Sequence, residues 1–88
     1  MNTSAEAIKL LQQALAQAQD AAKVIDNLIV AHDYQDVASL VAKASAELIS
    51  STMLLLQSDP DAALDALERA DDLLDAVYDI IDAETDEE

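Results

Sequence analysis

Apolar residues recur every three or four positions along almost the whole chain, in three blocks separated by short polar breaks. In the first block Ile8, Leu11, Leu15, Ala18, Ala22, Ile25 and Ile29 alternate steps of three and four, which is one face of a helix. Ala7, Ala14, Ala21 and Leu28 flank that seam, and their small size favours a closely approaching partner helix. Thr3-Ser4-Ala5-Glu6 ahead of it matches a capping box, with Thr3 as the cap. The outward positions Lys9, Gln13, Ala16, Asp20, Lys23 and Asn27 form a mixed surface.

His32-Asp33-Tyr34-Gln35-Asp36 breaks the period and predicts a short link, with Asp33 capping the next helix. With no glycine in the chain, any left-handed turn residue is expected at His32, Asp33 or a similar residue. The second block has the seam Val37, Val41, Ala44, Leu48 and Leu55, interrupted by Ser51. It also has a second apolar stripe: Ala38, Ala42, Ile49, Met53 and Leu56. Its polar strip (Asp36, Lys43, Glu47, Ser50, Gln57) is narrow. A helix apolar on most sides is expected to be covered by more than one neighbour. No helix is expected to be fully central in a three-helix monomer, so a homodimer through Ala42, Ile49, Met53 and Leu56 is the expectation.

The third block starts at Ser58-Asp59-Pro60-Asp61, where Asp59 fits the N-cap and Pro60 the first helical position. Its expected core side is Ala63, Leu67, Ala70, Leu74, Val77 and Ile81, widened by Leu64, Leu73 and Ile80. On the opposite side Asp61, Asp65, Glu68, Asp72, Asp75, Asp79, Asp82 and Asp86 are spaced by alternating fours and threes. At 3.6 residues per turn all eight share one face. The pattern therefore predicts an all-α fold in one domain over 1–88. Its helices are expected over about 3–32, 34–57 and 59–84, with an acidic, solvated tail at 85–88. Short links favour a hairpin of the first two helices, with the third laid across it.

Composition sharpens this picture. The 88 residues hold no Gly, no Cys and one Pro, and about half are apolar, a helical composition. The absence of Cys excludes disulfides, thiolate metal sites and Cys nucleophiles. No signal peptide is expected, and no uncharged apolar run reaches the roughly 18 residues of a membrane span. A cytoplasmic location is the expectation.

Charge is segregated. Of the net −15, residues 1–32 carry −1, residues 33–58 carry −2 and residues 59–88 carry −12. Such a chain is repelled by nucleic acid and by anionic membranes, and its expected partner is basic. The acidic row has an ordinary explanation as a solvated outer face. Against that, like charges one turn apart cost about 0.2–0.5 kcal/mol per pair. Seven of the eight are Asp, a weaker helix former than Glu. The distal acids also oppose the negative end of the helix dipole. A row so unfavourable to the free fold suggests a partner that benefits from it. Eight carboxylates over about 37 Å give one charge per roughly 5 Å, of the order of the phosphate spacing along a nucleic-acid strand.

Other chemistry finds little support. The carboxylates diverge along a rod, whereas Ca²⁺ or Mg²⁺ needs converging oxygens. No Glu-x-x-His pair is present for a diiron site. His32, the single His, reads as a residue at a helix C-terminus. Ser50, Ser51 and Thr52 lack a nearby base and read as helix surface or packing contacts. Tyr78 is expected to pack beside the core seam, and Met53 in core or interface. No enzyme, cofactor or metal is expected.

In overall character, tiny, acidic, helical and glycine-free, the chain resembles small phage or mobile-element inhibitors that imitate nucleic acid. That resemblance implies a non-enzymatic protein whose acidic row occupies a basic, nucleic-acid-binding surface of a target. The alternative is a helical adaptor or co-chaperone that binds a partner through Ile49, Met53 and Leu56, with the acids serving solubility.

Overall fold

Thr3 opens the first helix as expected: its hydroxyl accepts from the Glu6 N–H at 3.2 Å. The computed structural model describes residues 3–85 and contains three helices, α1 (Ser4–Asp26), α2 (Gln35–Leu56) and α3 (Pro60–Thr85). The described residues are all-α, a three-helix bundle without strands.

Helix α1 ends six residues before the expected boundary at 32. Asn27 leaves the helical region (φ −117°, ψ 26°), and its side-chain amide donates to the Lys23 carbonyl at 2.7 Å. Gln35 closes the link from the far side. Its Nε2 donates to the Ile25 carbonyl at 2.7 Å, and its Oε1 accepts from the His32 N–H at 3.2 Å. Side chains thus satisfy carbonyls that a longer helix would have used, and the β-branched Ile29 and Val30 add little incentive to continue. Ile29, expected in the α1 seam, stands fully in solvent at 101% exposure. Asp33 is not the cap of α2; Tyr34 holds that position without a side-chain hydrogen bond.

The second link is tighter. Ser58 takes a left-handed conformation (φ 62°), so the left-handed residue lies here and not at His32 or Asp33. The Asp59 N–H reaches the Leu54 carbonyl at 2.9 Å and the Ser58 N–H reaches the Leu55 carbonyl at 3.1 Å. This is the Schellman closure of a helix C-terminus, made without glycine. Asp59 then caps α3, accepting from the Ala62 N–H at 3.3 Å, with Pro60 at the first helical position.

Helix α2 lies in the middle. α1 and α3 each pack on it, and among the described residues they do not meet each other. Both pairings are antiparallel. Asp26 near the end of α1 meets Ser39 and Lys43 near the start of α2. Glu47 in mid-α2 meets Arg69 in α3. The result is elongated, 53 × 28 × 19 Å. Two expectations are corrected here: α3 does not lie across a hairpin, and a central helix is present in a single chain.

The reason lies in the buried residues. The buried apolar side chains are Ala22, Ala44, Ala46, Ala63, Ala66, Ala70, Val37 and Val77, with Ser39 and Ser51 beside them. Alanine and serine seams bring helix axes close together, but each covers little area, so one neighbour buries only a narrow stripe. α2 therefore buries two stripes, Ser39 and Ala46 toward α1, and Val37, Ala44 and Ser51 toward α3. Val41, Leu48 and Leu55, expected in its core seam, are left exposed, as are Leu64, Leu67 and Ile81 of α3. α2 is also the one described helix long and apolar enough to cross a membrane by length and composition. Its polar strip carries Lys43 and Glu47, one toward each neighbouring helix.

Candidate protein-binding surface

The acidic row is built by the α3 start and kept in phase by an uninterrupted helix of 26 residues. Asp61, Asp65, Glu68, Asp72, Asp75, Asp79 and Asp82 are all exposed; Asp86 and the remaining tail residues 87 and 88 lie outside the described residues. The seven span about 32 Å along the helix. They lie on the side of α3 away from Ala63, Ala66, Ala70 and Val77, the residues packed in the core. The row therefore forms one long edge of the molecule.

None of the seven is in an ion pair with a described residue. Arg69, the single cation of α3, turns the other way, with its Nε 3.0 Å from Glu47 Oε1. Lys43 is held by Asp26 at 3.4 Å on the far side of α2. The first turn of α3 carries Asp61, favoured by the dipole, and its last turn carries no base. The edge is a line of like charge without an ion pair to the described part of its own fold; Arg69 borders a shallow groove with Asp72 but bonds to Glu47. The carboxylates do not converge: among the described residues no group of three or more His, Asp or Glu is placed to hold a metal ion.

A titration shift is found away from this edge. Asp26 is held below the ordinary carboxylate value chiefly by the Ser39 hydroxyl; burial opposes this, and Lys43 adds to the lowering. Asp26 and Lys43 border an open groove between α1 and α2 together with Gln19, Ala22, Lys23, Ala46 and Glu47. The groove's acids and bases are already paired in part, and it has no nucleophile with a base beside it.

Two of the three hydroxyl-bearing residues singled out in α2 are bound to backbone. Ser51 Oγ and Thr52 Oγ1 both donate to the Leu48 carbonyl, at 2.7 and 3.0 Å. His32 is exposed in the first link and not at a helix end. Tyr78, expected beside the core, is 61% exposed. Of the alternative partner face, Ala42, Ile49 and Met53 are half-buried and Leu56 is exposed.

Sequence reading overlooked Ser39, which organises the α1–α2 seam, and assigned to the core the stripe Val41, Leu48 and Leu55, which is exposed. The seven-residue spacing of that stripe was a visible signal, but spacing alone does not separate a buried stripe from an open one. The chain matches no protein family, and neither a curated protein nor a solved structure is similar to it.

Proposed function

We propose that this is a small, acidic, non-enzymatic binding protein of the cytoplasm, of the phage or mobile-element inhibitor type. Its α3 carboxylate row occupies a basic, nucleic-acid-binding surface of a target protein. The observation that carries this reading is the edge itself: seven exposed carboxylates on one helix face, unpaired with any described residue, over about 32 Å. A cleft lined with Lys and Arg gains from each carboxylate, and counterion release makes such binding strongly salt-dependent. Neither nucleic acid nor an anionic membrane is a partner for a surface of this sign. In the adaptor reading a partner grips α2 through Ile49, Met53 and Leu56 instead, and of these the exposed Leu56 favours it.

The test is capture from lysate at low and high salt, with the triple variant Asp72→Lys, Asp75→Lys, Asp79→Lys in parallel. A basic protein that elutes as salt rises and is lost by the triple variant supports the electrostatic reading. A partner retained at high salt and kept by the triple variant sinks it in favour of the adaptor.

A further inference from the structure

Three helices in one layer have two broad sides, and here they differ. Glu47–Arg69 and Asp26–Lys43 mark one side. At about 100° per residue, Val41 and Leu48 lie about 120° and 100° round α2 from Glu47, on the flank away from Lys43. Leu67 and Tyr78 fall on the opposite flank of α3 from Arg69. These flanks adjoin, so the exposed apolar residues of both helices share the second broad side. Its spine is Tyr34, Val41, Leu48 and Leu55, seven residues apart, with Ala38, Ser45 and Thr52 between them. The spine contains no charge, and Val41 and Leu48 are each 42% exposed.

The whole molecule is over-exposed for its size. A compact monomer of 9.4 kDa shows about 5,000 Å² of surface and, at 88 residues, a radius of gyration of about 12 Å. This chain shows 6220 Å² and 15.4 Å. The outline of this broad side, about 32 Å of α2 across the 28 Å width of the molecule, is about 900 Å², with the apolar residues along its middle. A standard interface takes about 800 Å² from each partner.

We propose that a second copy of this chain covers this side, with the two α2 helices parallel and α3 of each copy over α1 of the other. Stable domains are built from two packed layers, and this chain supplies one. A second copy completes the core at whatever concentration the protein itself reaches. Charge selects both the partner and the orientation. The α2 spine is uncharged, so its contact buries no acid, and Asp71, which falls between Leu67 and Tyr78 on the α3 flank, lies over the nearly neutral α1 of the other copy and not over another acid. Residues 59–88 carry −12 and residues 1–32 only −1, so α3 over α1 keeps the two acidic edges apart by more than the Debye length of about 8 Å. Stacking α3 on α3 would bring the edges together. Alternating large and small residues along the spine give alternating wide and narrow layers, which lets the two α2 helices approach. The acidic edges stay outside, so the dimer does not depend on the proposed function and offers that edge twice.

The test is the mass of the whole chain in solution by light scattering, from low to high micromolar. A dimer is expected for the wild type, and a monomer with undiminished helical circular dichroism for Leu48→Asp. A variant that loses its helices leaves the decision to the cross-links. The chain has no cysteine, so Val41→Cys, Leu48→Cys and Leu55→Cys singly report which residues face their own copies. Disulfide-linked dimers of all three under mild oxidant support the parallel pairing; a link at one position only overturns it. A wild type that stays monomeric, or a well-folded Leu48→Asp that stays dimeric, overturns the proposal. A monomer that instead floats with phosphatidylcholine vesicles would assign the face to lipid.

Discussion

Ser39 Oγ donates to Asp26 Oδ1 at 2.5 Å across the seam between α1 and α2. Ser39 is almost fully buried, and Asp26 Oδ2 turns outward to Lys43. One carboxylate thus fixes the register of the hairpin and is held in its charged form.

The pH dependence follows from the direction of the Asp26 shift. Its folded-state pKa lies below the ordinary value, so the unfolded chain binds that proton more readily. The linked stability is fully present above the ordinary carboxylate range and is lost as pH falls through the lowered value. Ser39→Ala removes the largest cause. It is expected to lower the urea midpoint at neutral pH, with the gap to wild type closing at the acid end. A gap that stays constant across the acid range would show that the serine acts through packing alone.

Ser58 holds a left-handed backbone without being glycine. Ser58→Gly keeps both carbonyl bonds of the α2 terminus and removes the steric cost at that residue. It is expected to raise stability by about 0.5–1 kcal/mol, and Ser58→Val to lower it by at least as much. Thermal unfolding of the two variants reads this directly, at about 4–8 °C per kcal/mol for a domain of this size.

The α3 edge acts against the free fold. Neutralising its middle with Asp72→Asn and Asp75→Asn is expected to stabilise the chain by a few tenths of a kcal/mol per relieved pair. Added salt should raise the wild-type melting temperature more than that of the variant. Equal responses to salt would mean that the row carries no strain, and the case for a partner would weaken with it.

Some of this was legible locally. Thr3, Asp59 and Pro60 declare their helix starts because a cap is satisfied within four residues. The acidic row keeps its phase because a continuous helix has nothing to decide but its period. The end of α1 was not legible. Asn27 stops it with a local bond, but the Ile25 carbonyl is taken by Gln35, ten residues on and in another helix.

The sequence by itself determined three helices, their period and the side on which charge collects, since these depend on neighbours within one or two turns. The tertiary structure decided how much of each apolar side is covered. Alanine seams bring helices close and hide narrow stripes, so Ala66 and Ser39 are buried while Leu48 and Leu64 are not. A hydrophobic period states that a side is apolar; the number and nearness of the helices packed against it decide what is left in water.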